Sequence, residues 1–121
     1  MSDRNHFVHV EFAVNDLLIA KKFYSRVFSW EITDNPAFPD YLFFNTGDEE
    51  FSGGLSLTQS KPTTGTSVFY INVSDINDKL QVVTENGGKI ILEKTTLPGD
   101  QGFIGRFEDP FGNILGIWTR P

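Results

Sequence analysis

His9 and Glu11 are the residues of this chain best suited to chemistry. They stand two apart in Val8-His9-Val10-Glu11-Phe12-Ala13-Val14, where apolar and polar residues alternate. Alternation with period two is the mark of a half-buried strand, and it puts His9, Glu11 and Ala13 on one face and Val8, Val10, Phe12 and Val14 on the other. An imidazole beside a carboxylate can act as a general base, hold a ligand by hydrogen bonds, or bind a metal ion, with the carboxylate fixing the tautomer or stabilising the imidazolium. His6 lies near the terminus and reads as solvated. The chain has no Cys, so thiolate chemistry and disulfides are excluded. It shows no Ser/His/Asp nucleophile set and no glycine loop of the kind that cradles phosphates.

An alternating strand needs a layer to cover its apolar side, and the next residues supply one. Asn15-Asp16 offers N-cap oxygens, and Ala20, Phe23, Tyr24, Val27 and Phe28 follow helical spacing, which predicts an amphipathic helix over 17–29. Short strands are expected at 30–33, 41–45 and 53–59, with a proline-bearing loop at 34–40. Trp30, at a strand start, is expected to pack on a helix. Residues 60–66 are small and polar and carry Pro62 and Gly65, the features of a linker. A strand at 68–73, a helix at 74–86, and strands at 89–93, 102–108 and 114–119 follow. Leu97-Pro98-Gly99-Asp100 reads as a turn, and Asp109-Pro110-Phe111-Gly112-Asn113 as a tight connection.

The second run of elements repeats the first. Val14-Asn15-Asp16-Leu17 returns as Val73-Ser74-Asp75-Ile76, 59 residues later. At the same offset Phe28-Ser29-Trp30 meets Gly87-Gly88-Lys89, and Gly53-Gly54-Leu55 meets Gly112-Asn113-Ile114. Landmarks in one order at one spacing imply two copies of a strand–helix–strand–strand–strand unit. A length of 121 residues suits one domain over 1–121, with the first module at about 6–59 and the second at about 67–121.

Asp16-Leu17 with Lys22-Phe23-Tyr24 and Val27-Phe28-Ser29-Trp30 resembles the first helix of the vicinal oxygen chelate superfamily, which holds glyoxalase I, the bleomycin-resistance proteins and the extradiol dioxygenases. Val73-Ser74-Asp75-Ile76, Gly87-Gly88-Lys89 and Phe107-Glu108-Asp109-Pro110-Phe111-Gly112-Asn113 resemble its second-module landmarks. The resemblance implies an α+β fold of two βαβββ modules, their mixed sheets curled into a cup with helices outside, usually completed in a homodimer. Metal-using members hold a divalent ion with His and Glu from equivalent strands. Carried onto this chain, the four ligand positions are His9, Leu57, Val68 and Gly116. Only His9 has a lone pair to offer, and a catalytic zinc site normally has three protein ligands.

These features support a metal-independent small-molecule-binding protein whose apolar cup takes an aromatic or cationic compound. No cofactor is expected. The expected ligand-binding residues are His9, Glu11, Leu55, Leu57, Gln59, Val68, Tyr70, Asn72, Gly116 and Trp118, an aromatic and apolar set with a few polar points. His9 and Glu11 are the catalytic candidates. Two other readings stay open. One is a glyoxalase-like lyase or isomerase, or a dioxygenase-related enzyme, using a divalent metal through an altered ligand set that includes His9 and Glu11. The other is a structural or regulatory dimer without ligand. The formal net charge of −6 argues against nucleic acid and anionic membranes as partners. No apolar run is long enough to span a bilayer and the first residues do not form a signal peptide, so a cytoplasmic location is expected, and the resemblance implies a homodimer.

Overall fold

The computed structural model describes residues 9–47, 52–58 and 68–121, in two compact units, Met1–Ser60 and Lys61–Pro121. Val8, His6, Gln59 and the expected linker at 60–66 lie outside the described residues.

The first unit contains β1 (His9–Val14), α1 (Leu17–Phe28), β2 (Glu31–Asp34), β3 (Tyr41–Asn45) and β4 (Ser52–Leu57). The strands form a sheet in the order β1-β4-β3-β2, with β1 parallel to β4 and the other neighbours antiparallel. Helix α1 starts where extended Asp16 accepts a hydrogen bond from the Ile19 amide at 2.9 Å, a side chain taking up one of the first-turn donors. It ends at Ser29, whose left-handed backbone lets its amide reach the Ser25 carbonyl. Ala20, Phe23, Tyr24 and Val27 are buried, as the apolar stripe predicts. Tyr24 stacks on Phe12 and Trp30, and Trp30 stacks on Phe44 with ring centroids 4.4 Å apart. Trp30 therefore packs against the helix as expected.

The second unit contains β5 (Tyr70–Asn72), α2 (Ile76–Glu85), β6 (Lys89–Thr96), a 3-10 turn at Pro98–Asp100, β7 (Phe103–Glu108) and β8 (Ile114–Thr119), with sheet order β5-β8-β7-β6. Asp75 caps α2 as Asp16 caps α1, accepting from the Asp78 amide at 2.9 Å. The sparse stripe Ile76, Leu80 and Val83 is the face that α2 buries. Strand β5 is shorter than the expected 68–73, because its parallel ladder with β8 joins only Tyr70, Ile71 and Asn72 to Gly116, Ile117 and Trp118. Strand β6 is longer than expected and carries two irregularities in its pairing with β7. In the 109–113 connection, buried Asp109 accepts from the amides of Phe111 and Asn113 and from the Asn113 side chain, and Gly112 takes positive φ. This is turn chemistry, as its composition implied.

The 59-residue offset holds for the first strands and the helices but not for the last strands. Glu11 pairs with Gly54, and its repeat partner Tyr70 pairs with Gly116. Gly54 and Gly116, 62 residues apart, are thus equivalent. The burial of Ser52–Leu57 and Ile114–Thr119 agrees, with three consecutive buried residues at the second to fourth positions of each strand. The additional residues enter through β6, which is longer than its counterpart β2. Matching Leu57 to Gly116, and Gly53-Gly54-Leu55 to Gly112-Asn113-Ile114, is corrected accordingly.

Candidate functional site

Each sheet buries one face on its helix and leaves the other face to something else. In the first unit Val10, Phe12 and Val14 lie on the helix side with Gly53, Leu55 and Leu57, their neighbours across the parallel ladder. Leu55 is fully buried there. The expectation that Leu55 and Leu57 share the face of His9 is therefore wrong. Alternation grouped them correctly, but Gly53-Gly54 carries no side chain to show which group faces the helix, and the two leucines follow the apolar side.

The free face carries His9, Glu11, Tyr41, Phe43, Ser52 and Gly54. His9 Nε2 lies 2.8 Å from the Tyr41 hydroxyl and Nδ1 lies 3.2 Å from Ser52 Oγ. Burial pushes the Tyr41 phenol up to about 12, and Glu11 adds to the shift as a hydrogen-bond acceptor and as a negative charge. A phenol whose O–H donates to Glu11 can only accept from His9. His9 then carries its proton on Nε2, and its Nδ1 accepts from Ser52 when the ring is neutral. One face thus holds a connected row: Glu11, Tyr41, His9 and Ser52.

Aromatic surface surrounds this row. Tyr41 and Phe43 meet edge to face at 4.9 Å between centroids, Phe38 meets Phe43 at 5.4 Å, and His9 lies within ring-contact range of Tyr41 and Phe43. Phe38 is half exposed. Gly54 makes room for this packing, since a Cβ there would collide with the ring and hydroxyl of Tyr41. Gly53 does the same on the helix side for Phe44. Two adjacent glycines in β4 thus admit one aromatic ring on each face.

The second unit repeats the device with different side chains. Ile114, Gly116 and Trp118 share the free face with Tyr70 and Asn72 on β5 and with Arg106 on β7. Tyr70 lies across Gly116, where a Cβ would strike its ring. Its hydroxyl accepts from Arg106 Nε at 2.8 Å. The Trp118 indole donates to the Gln101 carbonyl at 2.9 Å. Val68 is partly buried and precedes β5. Asn72 also borders a cleft of about 560 Å³ at the start of α2, lined in part by Asp75, Lys94, Phe103 and Thr119, which contains neither Tyr70 nor Trp118.

The residues at the metal positions do not fit a metal. Gly54, Gly116 and Val68 have no donor, and both His9 nitrogens have protein partners. Among the described residues no group of three or more His, Cys, Asp or Glu is placed to hold an ion. Sequence reasoning missed Tyr41, Phe43, Ser52 and Arg106. The alternation Tyr41-Leu42-Phe43-Phe44 held the signal for the first two, because Leu42 and Phe44 are the buried pair.

Comparison with known proteins places this geometry in a wider group. The family profile described as Glyoxalase/Bleomycin resistance protein/Dioxygenase superfamily matches residues 6–117. A glyoxylase-like domain-containing protein of Didymella fabae is 33% identical over 118 residues, covering 93% of this chain and 91% of that protein. Glyoxylase-named CFP32 of Mycobacterium bovis is 27% identical over 90% of this chain, which spans only 43% of that protein. A glyoxalase/bleomycin resistance protein of Albidiferax ferrireducens superposes with TM-score 0.75 at 22% identity, covering 95% of this chain and 98% of its own. A fosfomycin resistance protein of Listeria monocytogenes gives 0.78 at 12% identity, covering 97% and 94%. The two structures share the fold with this chain.

Proposed function

Because the chain belongs to the glyoxalase/bleomycin resistance protein/dioxygenase superfamily, we propose that it is a small-molecule-binding protein that takes an aromatic or cationic compound on its free sheet faces without a metal ion. One observation carries this reading. The positions where metal-using members of the family carry a carboxylate are glycines in both units, and a tyrosine ring lies over each. The space of a chelating side chain is given to an aromatic surface. On the first face that surface surrounds Glu11, which accepts a hydrogen bond from the Tyr41 phenol. A carboxylate among ring faces attracts an organic cation by charge and by cation–π contact.

The enzyme reading through His9 and Glu11 has less support, since His9 is held by Tyr41 and Ser52 rather than left with a free lone pair. No helix among the described residues is long and apolar enough to cross a membrane, in keeping with a protein that meets its ligand in the cytoplasm. The binding form is a homodimer, the state in which this family usually completes its cup. Sedimentation at micromolar concentration is expected to give the dimer mass, and a monomer there rejects this part of the proposal.

The binding claim is tested by calorimetric titration of phenethylammonium into the protein and into its Glu11→Gln variant. Saturable binding weakened about tenfold by the substitution is expected, from the loss of a charge-assisted contact. Equal affinity for both proteins contradicts the assignment.

A further inference from the structure

Arg106 stands on the free face of the second sheet, where Glu108 and Lys89 form the next cross-strand pair, and three facts set it apart. It is half buried. Its Nε–H is committed to the Tyr70 hydroxyl, so the guanidinium is fixed in position while its four terminal N–H groups remain. Among the described residues it makes no ion pair, although the chain carries 16 acidic residues and a net charge of −6. A half-buried guanidinium loses hydration, and in an acidic protein a carboxylate neighbour is the usual compensation. Here the side chain bonded to the guanidinium is a phenol, while Glu108 on the same face of β7 stands opposite Lys89, and a phenol leaves the charge unneutralised.

The surrounding register shows what the fixed charge faces. Arg106 sits opposite Gly116 in the β7–β8 ladder, and Tyr70 sits opposite Gly116 in the β5–β8 ladder. The missing side chain at Gly116 lets the Tyr70 ring lie over β8 and reach Arg106. One rung further along β8, roughly 7 Å away by the rise of a strand, is Trp118, whose indole is held by Gln101. The face therefore presents an oriented fork of N–H donors next to a fixed aromatic plane.

We infer that Arg106 binds the oxyanion of an aryl acid, with Trp118 beside the aryl group and Tyr70 as the residue that positions the guanidinium. A carboxylate or a phosphonate meets the fork with two parallel hydrogen bonds, which ammonium-type side chains cannot arrange. The inference rests on the proposed ligand-binding role and narrows its aromatic class to compounds that carry an acid.

The test is a titration of wild-type protein with 3-phenylpropanoate, phenylphosphonate and neutral 3-phenylpropanamide, followed by Arg106→Gln and Tyr70→Phe. At least one of the two acids is expected to bind tenfold or more tightly than the amide, and the tighter one assigns the head group. Arg106→Gln is expected to remove that preference. Tyr70→Phe keeps the ring over Gly116 and is expected to weaken the acid several-fold while leaving the amide unchanged. A merely structural tyrosine would move both ligands or neither. Should Arg106→Gln fail to fold, the wild-type preference for acid over amide still decides. An amide that binds as well as both acids overturns the inference. If phenethylammonium nevertheless binds in a Glu11-dependent way, the inference fails alone and the proposed function stands.

Discussion

At the residue scale, Tyr41 links the two polar side chains that the sequence marked out. It lies between Glu11 and His9, and its hydroxyl decides how both can act. Glu11 accepts a hydrogen bond from the phenol O–H, so the phenol oxygen becomes the acceptor for His9. This predicts a pH dependence with a definite sign. The folded phenol ionises near 12, above the ordinary value of 10.0 that it regains on unfolding. Its contribution to stability is fully present below pH 10 and is lost as pH rises toward 12, because the unfolded chain gives up the proton first. In an ultraviolet titration, the phenolate absorbance that Tyr41→Phe removes should appear well above pH 10, near 12. In Glu11→Gln that ionisation should move down but stay above 10.0, because burial is the larger cause and the variant leaves it in place. A Tyr41 that ionises at the ordinary 10.0 would break the row. His9 and Glu11 were legible as a same-face pair because alternation alone settles that question. Tyr41 was not, because nothing in the sequence says that β3 lies next to β4 and two strands away from β1.

At the element scale, β4 and β8 show why a strand can be recognised while its register is missed. Both were found from composition, and α1 starts at Asp16, one of the two residues the sequence offered as N-cap, whereas the cap of α2 is Asp75, one residue inside the expected start. The repeat offset, however, slips by three residues between the helices and the last strands, since β6 is longer than its counterpart β2. A one-residue error in register turns every side chain to the opposite face, and that is how Leu55 and Leu57 were assigned to the ligand side. The glycines are the structural reason for the arrangement, and they can be tested. Gly54→Ala puts a methyl group where the Tyr41 ring lies, and it should destabilise the protein by about 1–3 kcal/mol in urea unfolding, the usual cost of overpacking. Combined with Tyr41→Ala, the same substitution should cost clearly less than the sum of the two single changes, since the colliding partner has gone. Strict additivity would mean that Gly54 serves some other purpose.

At the scale of the whole molecule, duplication kept the frame and let the two free faces diverge. One unit turns a carboxylate and an imidazole toward its aromatic surface, and the other turns a guanidinium and an indole. The shared feature is glycine under tyrosine in the strand where metal-using relatives in the family carry a ligand. The family was legible in the sequence because caps, turns and core spacing are local and survive in order. The site was only partly legible, because it depends on which strands become neighbours.

The most direct measurement of the central claim is phenethylammonium binding to protein treated with EDTA and then resupplied with manganese or zinc. The account predicts the same affinity before EDTA, after it, and after metal is returned, with the Glu11→Gln loss unchanged throughout. Binding abolished by EDTA, restored by a stoichiometric divalent ion and absent from His9→Ala would contradict it.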